Sequence, residues 1–340
     1  MLSFRCQAAL VACALSLPAL MACGAPPSGE LSASSSEPIV GGATVTNDAL
    51  GTVEIIECPN GTAGCTWTTV GTGGWGATGN MIADKWMLTA HHAVTVGGEA
   101  LTGGDAVVPS TLLVQNQNGT SSASGFRIYR HATLDVALVR LGSSILDEAG
   151  HIATTPIFTG ATSTLNDKPV YCQGYGVNSV SPTGNTGFGT LRSATFIVSE
   201  SDPEGMLLFP NAVGDYLAPG DSGGPCFLNA PGGTTPNAIV STMSFEDSDG
   251  PGFPAEDDQL VAADGFQSWA MTTINQDACD PGVVPLTCGT ATNAFGATVS
   301  CGTCAAGTTC SDDHCCAVGE VWTPEFNRCM PPCTSKHCPR

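Results

Sequence analysis

Gly220-Asp221-Ser222-Gly223-Gly224-Pro225 is the stretch on which the reading of this chain turns. A serine set among glycines leaves room for a carbonyl group to approach its hydroxyl. The backbone N–H groups of Gly220 and Ser222 are then candidates to face a developing oxyanion. Alone, the hexapeptide also reads as a polar turn. Upstream, Trp86-Met87-Leu88-Thr89-Ala90-His91-His92-Ala93 carries a histidine pair after a strand-like apolar run. Asp135-Val136-Ala137-Leu138-Val139-Arg140-Leu141 opens another alternating segment with an aspartate, and Ile39-Val40-Gly41-Gly42 precedes them all.

A serine hydroxyl is a poor nucleophile until an imidazole removes its proton, and the imidazole needs a carboxylate to fix its tautomer. Taken singly, His92 reads as a structural histidine and Asp135 as a solvated or capping carboxylate. Together and in this order the four stretches resemble the motifs IVGG, TAAHC, DIAL and GDSGGP of the trypsin/chymotrypsin-like serine proteases. The resemblance spans roughly residues 39–275. It implies Ser222 as nucleophile, His92 as general base and Asp135 as orienting carboxylate. His92, not His91, is fourth counting from Thr89, and His91 replaces an alanine. The order His, Asp, Ser separates the chain from the subtilisin and α/β-hydrolase arrangements.

Composition agrees. There are 340 residues with 42 glycines, 23 prolines and 12% charged residues, and short apolar runs alternate with Gly, Asn, Asp, Ser and Thr clusters. Val53–Ile56, Leu112–Val114 and Ala238–Val240 read as strands of an all-β protein. The resemblance implies two packed antiparallel β-barrels with the site between them. Phe266, Trp269, Met271 and Ile274 space out a short closing helix over Phe266–Asn275. The expected organisation is a signal peptide over 1–22, a tether and propeptide over 23–38, a peptidase over 39–277 and a disulfide-rich module over 278–340.

Arg5 followed by the apolar stretch Ala8–Leu20 reads as an export signal, too short for a spanning helix. It ends Leu20-Met21-Ala22-Cys23, which resembles a bacterial lipoprotein signal, with cleavage before Cys23 and a lipid on its thiol. Ordinary cleavage near Ala22 or Ala25 is the alternative. These readings place the protein in a bacterial cell envelope or outside the cell. In the family, cutting before Ile39 creates an ammonium that pairs with Asp221, so Ile39 and Asp221 are the expected activation pivot. Glu37-Pro38 before the cut does not suit a trypsin-like activator. One cut at Pro38–Ile39 would both activate the enzyme and release it from an anchor at Cys23.

The chain has 17 cysteines, and 14 remain beyond Cys6, Cys13 and Cys23. An even number in an exported chain implies disulfides. Cys58 and Cys65 are expected to staple a loop. The family's bridge beside the histidine is lost at Ala77 and Ala93, and another at Ala218. Cys172 lies two residues later, and Cys226 two earlier, than the positions of a further family bridge. In an antiparallel pair those shifts keep register, so the resemblance implies Cys172–Cys226. Ten of the last 62 residues are cysteine, including Cys301-x2-Cys304-x5-Cys310-x4-Cys315-Cys316. Five disulfides would replace a core there, with zinc on a Cys-x2-Cys and His314 as the rival reading.

The family reads the substrate side chain with the residue six before the serine, here Tyr216. Its bulk favours small or uncharged side chains. A one-residue shift would instead place Asp215 at the pocket base and favour Lys or Arg. Ser244-Phe245-Glu246 resembles the family's pocket wall, with Glu246 where the family has glycine. Ten Lys and Arg against 30 Asp and Glu give a net charge of −20, which argues against nucleic acid as a partner. The expectation is an exported serine endopeptidase acting on proteins or peptides without metal or cofactor. The alternative is a non-catalytic binding protein that works through its Cys-rich tail, whose partner the sequence does not name.

Overall fold

A computed structural model describes residues 39–46, 49–58, 76–94, 104–107, 112–116, 122–146, 153–178, 186–232, 237–248, 255–280 and 286–331. After β1 (Ala43–Thr44) come β2 (Thr52–Glu57), β3 (Gly76–Ala83), β4 (Trp86–Thr89), β5 (Gly104–Val107), β6 (Leu112–Gln115), β7 (Ser122–Arg130) and β8 (Ala137–Leu141). Strands β2, β3, β4, β8, β7 and β6 pair antiparallel in that order. β6 returns to β2 and closes a barrel, with β5 laid on β7. Alternation drives this closure. Val53, Ile55, Met87, Val114, Val139 and Leu141 point into one buried cluster, as period-two strands require.

The second barrel is built from β9 (Pro169–Gly174), β10 (Arg192–Ser201), β11 (Gly205–Leu208), β12 (Pro225–Phe227), β13 (Ile239–Ser248) and β14 (Ala255–Ala262). The order is β9-β10-β11-β14-β13-β12, with β12 returning to β9 and β1 added at β10. Val170, Phe196, Val198, Leu208, Met243 and Leu260 fill it. The expected all-β, two-barrel architecture is the one present.

A third apolar layer joins the barrels. Trp86, Leu88 and Leu138 face away from the first barrel's interior and meet Phe227, Ile239 and the helix α1 (Ala263–Ala278). The helix is three residues longer at each end than the apolar spacing indicates. Phe266, Ala270 and Ile274, one turn apart, form its buried face. Burying Phe266 contributes about 1.5–3 kcal/mol. Asp264 in the first turn accepts the Thr162 N–H through both oxygens at 3.1 Å, a favourable place for an acid beside the positive end of the helix dipole.

Beyond α1 lie three two-stranded hairpins: β15 (Thr290–Thr292) with β16 (Thr298–Ser300), β17 (Thr308–Ser311) with β18 (His314–Ala317), and β19 (Val321–Thr323) with β20 (Arg328–Met330). Among the described residues from 286 onward the buried apolar side chains are Cys288 and Cys316. Disulfides take the place of a core: Cys279–Cys301, Cys288–Cys310, Cys304–Cys315 and Cys316–Cys329. Cys333 and Cys338 lie outside the described residues.

Glu54 on β2 is buried, with Thr78 and Gln115 as its cross-strand neighbours. Gln115 Nε2 donates to Glu54 Oε2 at 2.5 Å. Burial pushes this carboxyl up from 4.5 to about 8, against the lowering effect of Gln115. The folded state therefore holds a proton that the unfolded chain releases near pH 4.5. The group costs stability progressively as pH rises from there through about 8. Glu54→Gln should flatten this dependence and be on the order of 5 kcal/mol more stable than the parent at pH 9. Denaturant unfolding at pH 5 and pH 9 checks it, and equal pH slopes in both proteins would refute it.

Candidate active site

Two strand ends and one loop build the site. β4 ends at Thr89, and a short 3-10 turn, His92–Val94, follows Ala90 and His91. His91 is fully buried, whereas the His92 side chain is 45% exposed. This difference puts the second histidine of the pair at the surface. Asp135 sits just before β8, whose Thr89↔Ala137 pairing with β4 brings the two ends together.

Asp135 Oδ2 lies 2.6 Å from His92 Nδ1, and Oδ1 accepts the His92 backbone N–H at 2.8 Å. The Ser244 hydroxyl donates to Oδ2 at 2.7 Å. Burial by itself would raise the Asp135 pKa. The hydrogen bond and charge of the His92 ring, the Ser244 hydroxyl and the His92 N–H outweigh that and hold it below its usual value. The carboxylate therefore stays ionised down to acid pH, and the stability it contributes is lost only as pH falls through that lowered value.

Ser222 lies half-buried in the turn between Ala218 and β12. This loop is pinned from both barrels. The Thr78 N–H of β3 donates to Ser222 O at 2.9 Å, and the Thr78 hydroxyl donates to Gly220 O at 2.9 Å. The same hydroxyl accepts the Tyr175 N–H at 2.9 Å. Gly223 is packed so closely on the end of β4 that a Cβ there would stand 2.0 Å from Thr89 Oγ1 and 2.7 Å from Ala90 N. The nucleophile candidate thus shares a neighbourhood with the histidine turn. Gly220 has φ +97°, and an added Cβ would meet the Phe188 ring at 2.8 Å and Gly176 Cα at 2.9 Å. Both its conformation and its close packing call for glycine. Among the described residues neither the Gly220 nor the Ser222 amide donates to another group.

Asp221, 1% exposed, points the other way. Its Oδ1 accepts the Gly176 N–H at 2.8 Å and its Oδ2 the Ala218 N–H at 2.9 Å. A Cβ at Gly174 would stand 2.0 Å from Oδ1. Ile39 is fully buried in the second barrel's core, at φ +34°. Val40 bridges to Tyr216, whose N–H donates to Val40 O at 3.2 Å.

Tyr216 packs with Val177 and Ala218 and is 7% exposed. Asp215 is turned toward the Gly41 side: a Cβ at Gly41 would stand 2.0 Å from its Oδ1, and Asn211 Nδ2 donates to its Oδ2 at 2.7 Å. The backbone of Glu246 pairs with Asp258 across β13 and β14, and its side chain lies outside the described residues.

Cys172 and Cys226 face each other in the β9–β12 register and form a disulfide. Cys58 is disulfide-bonded, and Cys65 lies outside the described residues, as do Cys23 and the tether. In the tail, the sulfur atoms of Cys288, Cys304 and Cys315 lie within 4.8 Å of one another. Each is half of a disulfide and so offers no thiolate to a metal. His314 is buried with its ring 3.7 Å from that of Trp322.

Sequence reasoning names Ser244 only as pocket wall and passes over Thr78 altogether. The bonds that make them matter join residues 109 and 142 positions apart. No local spacing announces such bonds.

Residues 75–233, which contain His92, Asp135 and Ser222, match a family described as the trypsin-like peptidase domain. The chain is also 25% identical over 215 residues to serine protease SP24D of Anopheles gambiae, covering 58% of this chain and 72% of that protein. With paired six-strand barrels and the four motifs in order, the peptidase region of this chain matches the trypsin/chymotrypsin-like serine proteases in fold, and in family model over residues 75–233.

Proposed function

We propose that this protein is an exported serine endopeptidase in which His92, Asp135 and Ser222 act as a triad. The observation that carries the reading is the pair of hydrogen bonds fixing His92 on Asp135. With Nδ1–H donated to the carboxylate, Nε2 is left as the base for the Ser222 hydroxyl. Attack by Ser222 on a peptide carbonyl forms a tetrahedral oxyanion facing the Gly220 and Ser222 amides. Collapse expels the amine, protonated by His92, and leaves an acyl-enzyme that water hydrolyses by the reverse proton path.

Activation follows cleavage before Ile39. A β-branched residue at positive φ is strained by about 1–3 kcal/mol. Cutting the preceding peptide bond abolishes that torsion. The new ammonium then pairs with Asp221, whose carboxylate already braces Ala218 and Gly176 on either side of the oxyanion loop. The disulfides suit an oxidising compartment. Lipidation of Cys23 would tether the precursor, and the same cut would release the enzyme.

Tyr216 closes the base of the substrate pocket, while Asp215 is engaged by Asn211. The expected preference is for small, uncharged side chains before the scissile bond. Profiling the Ile39-started enzyme on a peptide library, beside Ser222→Ala, tests both parts. Cleavage confined to Lys or Arg would overturn the assigned preference. Equal cleavage by Ser222→Ala would overturn the mechanism.

A further inference from the structure

A cavity of about 500 Å³ opens between the end of β7 and the outer face of α1. Its size is that of an ordinary small-ligand site, about 300–1,000 Å³. Arg127 and Tyr129 line one wall and Trp269, Asp277 and Asp280 the other. Ion pairs lock these groups in place. Arg127 bonds Asp280 at 3.0 Å, and Arg140, behind the wall, bonds Asp277 at 2.8 Å. The Tyr129 hydroxyl also donates to Asp277. Its ring stacks on Trp86 and also lies under the Arg127 guanidinium. His131 meets Trp269 edge-to-face, with ring centres 5.1 Å apart. His131 Nδ1 accepts the N–H groups of Thr133 and Leu134, so the ring belongs to the turn that leads to Asp135.

Charge and wetting select the ligand. The lining carries two guanidiniums, Arg127 and Arg130, and two carboxylates, Asp277 and Asp280, with Arg140 behind it committed to Asp277, and burial lowers the His131 pKa, which favours the neutral ring. The lining is thus neutral in a chain of net charge −20. An anion would face two carboxylates, and a cation two guanidiniums. A wholly apolar ligand would strip water from ion-paired groups without replacing their hydrogen bonds. An uncharged ligand rich in hydroxyls, with a C–H face for the rings, satisfies all of these groups. Exposed Thr272 and Gln276 supply further donors and acceptors at the rim.

We propose that this cavity is a saccharide-binding site, taking one or two uncharged sugar rings, at the junction of the peptidase and its Cys-rich tail. The site would hold the enzyme on glycan independently of peptide cleavage.

The test is calorimetric titration of the full chain with N,N′-diacetylchitobiose, cellobiose and maltose, beside phenyl phosphate as a charged aromatic probe. At least one disaccharide should bind with a dissociation constant on the order of 1 mM. Gln276→Ala, an exposed change, should weaken it about fivefold and Trp269→Leu about tenfold or more, each with an unchanged circular dichroism spectrum. Gln276→Ala should cleave peptides as the parent does. Absence of heat with all three disaccharides at about 20 mM would overturn the proposal. So would tighter binding of phenyl phosphate, or sugar binding indifferent to both substitutions.

Discussion

Asp135→Asn should lower kcat by about 10⁴ while leaving the fold intact. That magnitude is the reference value for this family's triad; the sign follows from the geometry here. Asp135 accepts three hydrogen bonds: from the His92 amide, the His92 ring and the Ser244 hydroxyl. An asparagine can keep its oxygen on the His92 backbone N–H. Its NH₂ group then faces Nδ1, which must become the acceptor. The ring proton moves to Nε2, the nitrogen that has to take the proton from Ser222. Ser244 meanwhile faces a donor in place of an acceptor. Steady-state kinetics on the Ile39-started variant checks this, and a kcat within tenfold of the parent would remove Asp135 from the mechanism.

Asp221→Ala should act on both stability and rate. Its carboxylate is buried and takes the N–H groups of Gly176 and Ala218. Truncation leaves two buried donors unsatisfied, at about 1–3 kcal/mol each. It also frees the turn that sets Gly220 at φ +97°, and a displaced oxyanion donor costs about 10²–10³ in kcat. Unfolding and turnover measured on the same sample separate the two effects. A variant that loses stability but turns over normally would show that Asp221 is only a structural brace.

The contrast between these two carboxylates shows what the sequence makes legible. The motif order points to His92, Asp135 and Ser222 as the proposed triad, and the alternation in Val53–Ile56 marks a barrel strand with one face inward. Each of those signals is local. The contacts that fix the loop geometry are not. Thr78 reaches Gly220 across 142 residues, and Ser244 reaches Asp135 across 109. A threonine on a strand and a serine in an apolar run carry no mark of such partners. The tail illustrates the same limit: its cysteine spacing announces disulfides, but the interleaved pairs Cys279–Cys301 and Cys288–Cys310 appear only in the fold. Spacing does not determine connectivity. The neutral cavity beside α1 joins β7 to residues some 150 positions later, as in Arg127–Asp280, and is equally silent in sequence.

Asp215 and Tyr216 are a subtler case. Sequence alone leaves either as the pocket residue, because a one-residue shift exchanges them. The Val40–Tyr216 bridge and the Asn211–Asp215 bond distinguish their surroundings. They point the tyrosine toward Ala218 and the aspartate toward Gly41.

The central claim is an assembled nucleophile, base and oxyanion site. Its most direct test is labelling of the Ile39-started protein with a fluorophosphonate probe beside a Ser222→Ala control. The account predicts stoichiometric labelling at Ser222 that is absent in the control. An unlabelled protein with Ile39 confirmed as its first residue would contradict it.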